Sequence, residues 1–235
     1  MNNEKEFIFN AEECWYHRVC SLYGTPQCNQ RCIRYAEMFN LFNTSNLPEK
    51  MWKPITMSLD EDDPDYDAYI QLNDIKNEVV NFVREGKNLY IYSKRTGNGK
   101  TSWAIKIMHN YFNKIWNGNA LRKRATFIHV PSFLRAVSES YKKDLDPKFE
   151  ELKVRLSKDD LVIWDDIAST QLTPSDYKYL LSFIDQRVLE GKSNIYTGNL
   201  GEEDLANSLG QRLKSRVYDS SIKIVFRGRD KRGIQ

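Results

Sequence analysis

Five short apolar runs, spaced by stretches with helical periodicity, constrain this chain more than any other feature. The runs are "NLYIYS" from residue 88, "ATFIHV" from 125, "DDLVIWDDI" from 159, "SNIYTGN" from 193 and "SIKIVF" from 221. Runs of that length, rich in β-branched and aromatic residues, suit buried strands. Before them lies "DAYIQLNDIKNEVVNFVREGK", periodic through Ile75, Val79, Phe82 and Val83 and stopped by Gly86, and between them lie residues 100–116, "PSFLRAVSESYKK", "PSDYKYLLSFIDQRVLEGK" and "LGQRLKSRVYD". Strands alternating with helices predict an α/β domain with a mainly parallel sheet and helices on both faces.

The punctuation after the first run carries chemistry. "SKRTGNGKTSW" ends in Gly-Lys-Thr, but the position that holds the first glycine of a phosphate-binding loop is Lys94. The loop nevertheless follows a strand and opens a helix, which is the context such a loop needs. Gly97 and Gly99 allow close approach of backbone amides to phosphate, and the helix N-terminus adds positive potential. Thr96, Gly97, Asn98, Gly99, Lys100, Thr101 and Ser102 are therefore the candidate nucleotide cradle. Lys100 would meet the β- and γ-phosphates, and the Thr101 hydroxyl would ligate Mg²⁺. The third run ends in Asp165 and Asp166, at the strand edge where ligands bind in open α/β sheets. Asp165 would complete the Mg²⁺ site and Asp166 would orient the attacking water; paired acids can also begin a helix as caps.

The first 46 residues read differently. Cys14, Cys20, Cys28 and Cys32 make up all the cysteine in the chain, spaced C-x5-C-x7-C-x3-C with His17 inside the first gap. A reducing compartment disfavours a disulfide framework, and four thiolates satisfy tetrahedral zinc. The expectation is a zinc site on the four cysteines, with His17 the alternative ligand and scattered free thiols the plain reading. A short amphipathic helix through Ile33, Met38, Leu41 and Phe42 follows. The acidic, proline-bearing stretch after it reads as a solvated connection. This divides the chain into a zinc-binding module at 1–46, a linker at 47–65 and the α/β core at 66–235.

Net charge is only +3, so a nucleic-acid surface has to come from local clusters. Tyr141, Lys142 and Lys143 are one candidate for single-stranded DNA, although a solvated helix end is the preferred reading. No apolar run approaches membrane-spanning length and the first residues lack a secretory pattern, so the expected compartment is the cytoplasm.

In order, "GNGKTS", "LVIWDD", "NIYTGNL", "LGQRLKSRV" and "VFRGRDKR" resemble the AAA+ ATPase core, and within it the DnaC/DnaI-type helicase loaders of bacteria and phages. The likeness runs over roughly residues 66–232 and more loosely into "SNLPEKMWKPITM". It implies Walker A at Lys100 and Thr101, and Walker B at Asp165 and Asp166, with a shorter Asp where Glu is common and slower hydrolysis as a result. It implies a sensor-1 role for Asn199, an arginine finger at Arg216 with Arg212 the second choice, a sensor-2 role for Arg232, and the short C-terminal lid typical of loaders. "RGRDKRG" could instead touch DNA backbone. The resemblance further implies ATP, Mg²⁺ and Zn²⁺ as cofactors, a DnaB-type replicative ring helicase and single-stranded DNA as partners, and self-association that offers Arg216 in trans. An IstB-like transposition ATPase and a non-hydrolysing zinc adaptor are the alternatives.

Overall fold

The computed structural model describes residues 5–117, 124–140, 147–169 and 171–231. Its elements run α1 (Ile33–Asn43), α2 (Tyr66–Asn77), α3 (Val79–Arg84), β1 (Asn88–Tyr92), α4 (Lys100–Ile115), β2 (Ala125–His129), α5 (Val130–Ser140), α6 (Pro147–Lys158), β3 (Leu161–Asp165), α7 (Pro174–Leu189), β4 (Ser193–Gly198), α8 (Glu202–Lys214) and β5 (Ser221–Val225). The five runs are the five strands. They form one sheet in the order β2-β3-β4-β1-β5, every neighbouring pair parallel.

The two-residue period of a strand decides which helices lie on which face. Leu89, Ile91, Leu161, Ile163 and Ile195 pack with α1, α2, α3 and α4 in one apolar cluster. Their alternates Tyr90, Val162, Trp164 and Tyr196 pack with α5, α6, α7 and α8 in the other. Both faces are covered, as a parallel sheet requires.

Several boundaries depart from the sequence reading. The expected helix ending at Gly86 is two helices, α2 and α3, broken at Glu78, whose φ of −100° and ψ of 21° are non-helical. A helix not anticipated, α6, packs Phe149, Leu152 and Leu156 onto the sheet. The last helix starts earlier than expected, at Glu202, bends at Gly210 (φ 73°) and runs into one π-helical turn over Ser215–Asp219. Helix α7 begins on a reciprocal cap in which Thr173 and Asp176 satisfy each other's backbone N–H groups.

The N-terminal residues join the core. Met38, Leu41, Phe42 and Leu47 lie in the same cluster as Trp103 and Phe112, and the rings of Phe42 and Phe112 meet edge to face at 5.1 Å. The chain then runs beside the sheet edge: Phe127 N–H donates to the Ser45 carbonyl at 2.8 Å, and Asn46 Nδ2 donates to the Phe127 carbonyl at 2.9 Å. The acidic connection is not simply solvated, because Asp65 within it is fully buried.

Candidate nucleotide site

The strand order builds the site. β4 lies between β1 and β3, so residues at its C-terminal end stand between the loop after β1 and the acids after β3. The loop itself is tightly built. The Ser93 hydroxyl accepts from the Arg95 N–H at 3.1 Å and from the side-chain amide of the fully buried Asn98. Gly97 and Gly99 take φ of 75° and 95°, a left-handed conformation open to glycine at little cost. A Cβ at Gly99 would also stand 2.9 Å from the Met57 methyl. Lys94 is exposed at the loop entrance. Lys100 opens α4 and is buried, its ammonium donating to the Arg95 carbonyl at 3.0 Å and to Asn98 Oδ1 at 3.3 Å.

At the second position of α4, the Thr101 hydroxyl donates to Asp165 Oδ1 at 2.7 Å. Thr197 Oγ1 donates to the same oxygen at 2.7 Å and accepts from the Asp166 N–H at 3.0 Å. Thr197 is thus the hub of the acidic pair, and sequence reading missed it. The available signal was a hydroxyl two residues before Asn199, in a strand that is otherwise buried. Burial pushes the Asp165 carboxyl above its ordinary range; the Thr101 and Thr197 hydroxyls oppose this, Asp166 adds to it and His129 opposes it. Asp166 sits at φ 63°, a left-handed conformation that is uncommon for non-glycine residues and more accessible to Asp than to most. Asn199 follows β4, and its Oδ1 is buried with no hydrogen-bond partner. An orphaned buried acceptor is costly and calls for an explanation such as an absent ligand or water.

No protein-family model and no curated protein matches the sequence. Solved structures do match. The DnaC helicase loader aligns with a TM-score of 0.62 at 19% identity, over 77% of this chain and 100% of that one. DnaI aligns at 0.61 and 20% identity, over 77% and 95%. The replication initiator DnaA bound to AMPPCP and single-stranded DNA aligns at 0.56 and 18% identity, over 72% and 48%. The fold is that of the DnaC helicase loader and of DnaI. At such identities the likeness is one of fold, and no residue's role follows from it.

The local geometry brings together Thr101, Asp165, Asp166 and Thr197, with Lys100 the residue before Thr101 at the start of α4. The two candidate finger arginines lie outside this cluster. Arg216 Nε pairs with Asp185 Oδ1 at 2.6 Å and Arg212 Nη2 with Asp185 Oδ2 at 2.9 Å, so both choices engage one carboxylate of α7. Arg232, Tyr141, Lys142 and Lys143 lie outside the described residues.

The four cysteines are free thiols of intermediate exposure in a segment built from turns. Burial pushes the Cys14 thiol up, and charge on Cys32, Cys20 and Cys28 acts in the same direction, so the four thiols share one neighbourhood. Among the described residues, however, no group of three or more His, Cys, Asp or Glu side chains is arranged to hold a metal ion. The expected zinc geometry is therefore not formed by these side-chain positions. No helix among the described residues is long and apolar enough to cross a membrane.

Proposed function

We propose that this chain binds ATP with Mg²⁺, hydrolyses it slowly, and loads a DnaB-type replicative ring helicase onto single-stranded DNA in the cytoplasm. The observation that carries the reading is the Thr101–Asp165–Thr197 constellation beside the Lys100 loop, in a fold shared with the DnaC helicase loader. The residues fit the cofactors. A threonine hydroxyl and a carboxylate are hard oxygen donors suited to Mg²⁺. Burial disfavours the Asp165 charge, a cost that a bound cation relieves. Mg²⁺ would supply neutralisation of phosphate charge.

The chain's own groups take the other roles. Lys100 supplies a cation inside the loop for the terminal phosphates. Asp166 orients the attacking water, and its short side chain accounts for slow turnover. The unpartnered Asn199 Oδ1 accepts from that water. Arg216 leaves Asp185 to complete a neighbouring subunit's site, and Arg232 serves as the second sensor. The four-cysteine segment takes up zinc after local rearrangement of the thiols and contacts the helicase. Support for that assignment is the shared neighbourhood of the thiols and the cysteine spacing.

The test is ATP turnover measured with and without single-stranded DNA and a ring helicase, alongside co-purification and mass measurement of any complex. Expected are a stable complex and turnover stimulated by one or both partners. A chain that binds ATP, never hydrolyses it and captures no ring helicase refutes the loader reading in favour of a nucleotide-switched adaptor.

A further inference from the structure

Asp65 lies in the acidic stretch before α2, far in sequence from the phosphate loop, and is fully buried. A buried carboxylate is tolerated only where donors satisfy it. Here the donors come from the opposite end of the chain. Asp65 Oδ1 accepts from the Arg227 N–H at 2.6 Å and the Gly228 N–H at 2.8 Å. Asp65 Oδ2 accepts from the Lys231 ammonium at 3.2 Å, which also reaches Asp63 Oδ1 at 3.3 Å and lies 4.9 Å over the Tyr69 ring. A Cβ at Gly228 would stand 2.4 Å from Asp65 Oδ2, so no larger residue fits without moving the carboxylate.

Residues 226–231 form a strap. It starts where the Phe226 N–H donates to the Tyr92 carbonyl at 2.8 Å, at the end of β1. It reaches the phosphate loop where the Lys231 N–H donates to the Gly97 carbonyl at 2.9 Å. Every described peptide is trans. In a trans peptide the C=O and the following N–H point in opposite directions. Pinning the Gly97 carbonyl on the strap therefore turns the Asn98 N–H away from it, leaving that amide for the cradle.

We propose that Asp65 is a positioning residue for nucleotide binding: it holds the 226–231 strap against Gly97 and so sets the orientation of the Asn98 amide. This rests on the nucleotide reading above. It assigns a functional part to a residue outside every motif, and it links the entry segment, the C-terminal strap and the phosphate loop through one carboxylate.

The experiment measures affinity of the full chain for a fluorescent ATP analogue with Mg²⁺, with the folded fraction of each variant checked by circular dichroism. Lys231→Pro removes the N–H that holds Gly97. Asp65→Ala removes the acceptor for the strap. Each is expected to weaken binding about tenfold, the scale of one charge-assisted hydrogen-bonded tether. Because both act through one strap, the double variant should bind no worse than the weaker single one. Lys231→Arg, which keeps the charge facing Asp65, should retain affinity. A folded Lys231→Pro protein that binds ATP as the unaltered chain does overturns the proposal, and so do losses that simply add in the double variant. If Asp65→Ala does not fold, Lys231→Pro and Gly228→Ala decide the matter on the same criterion. Lys100→Ala distinguishes the two levels. If it loses binding while the strap variants bind normally, the strap assignment alone is wrong; if it too binds normally, the nucleotide site and the strap assignment both fall.

Discussion

At the scale of the residue, Asp165 shows what the site costs the protein. Its carboxyl is raised by burial against two donated hydroxyls. A raised folded-state value means that the stabilising form is the protonated one: the contribution is fully present below the unfolded carboxylate value and is lost as pH rises through the folded one. At neutral pH Asp165 therefore works against the nucleotide-free fold. Asp165→Asn keeps an oxygen that accepts from Thr101 and Thr197 but carries no charge. Its melting temperature should rise by ~2–4 °C, the shift that about 1 kcal/mol produces in a domain of this size. The gain should shrink as pH falls into the range where Asp165 protonates, and Mg²⁺-dependent ATP binding should weaken. Scanning calorimetry across pH checks the first part; an Asn variant less stable than the parent at neutral pH would show that the charge is compensated in the nucleotide-free protein.

At the scale of the element, α7 is a mount for the two candidate finger arginines. Arg187, near its C-terminal end, is fully buried, and burial lowers its guanidinium to about 10. It donates to the carbonyls of Leu156 at 2.9 Å, Asp159 at 2.8 Å and Ser193 at 2.6 Å, and to Asn194 Oδ1 at 2.7 Å, which ties α7 to α6 and to the start of β4. Asp185 is two residues earlier and so projects from a different side of the helix, where it meets Arg216 and Arg212. Against the burial that opposes it, hydrogen bonds from Arg216 and Arg212 hold the Asp185 carboxyl below its usual range. This stabilisation is present above the unfolded carboxylate value and is lost as pH falls through the depressed folded one. Because the arginines are partly exposed, with Arg212 at 64%, solvent screening limits the effect. Asp185→Asn should therefore cost less than about 1 kcal/mol at neutral pH, with the difference vanishing in acid. Urea melts of both proteins at two pH values measure this; a cost that persists unchanged in acid would mean that shape rather than charge holds α8 to α7.

At the scale of the whole molecule, the apolar cluster under the sheet crosses the position where sequence reading divides module from linker. Phe42 stacks on Trp15 with ring centroids 5.1 Å apart and meets Phe112 of α4 at the same distance. Truncating it should be felt by the core as a cavity. Phe42→Ala is expected to cost about 3–5 kcal/mol in a single unfolding transition that includes the nucleotide site. Cys28→Ser should act on the turns ahead of α1 instead, abolishing zinc uptake and helicase capture while leaving ATP binding largely intact. Calorimetry and elemental analysis read both variants. A core that melts unchanged in Phe42→Ala would mean that residues 1–46 fold separately, and zinc at one per chain in Cys28→Ser would remove that cysteine from the ligand set.

Local pattern determined most of the architecture. Apolar runs of strand length alternating with helical spacing specify five strands, their parallel sense and two covered faces, because each run needs partners on both sides and helices to return it. Motif chemistry likewise singled out Lys100, Thr101, Asp165 and Asp166 as candidates before any coordinates, and the fold joins Thr101 to Asp165 by a hydrogen bond at the C-terminal end of β3. Tertiary structure alone decided the rest. The order β2-β3-β4-β1-β5 is what inserts β4 between the loop and the acids and makes Thr197 their hub. Asp65 reads as one acid in a solvated run until the fold brings Arg227 to it across 162 positions. Arg216, a finger by resemblance alone, gains its Asp185 partner only because the fold brings α7 to it. Periodicity and capping report what a residue does with neighbours a few positions away, whereas a buried charge is explained only by the partner that folding carries to it.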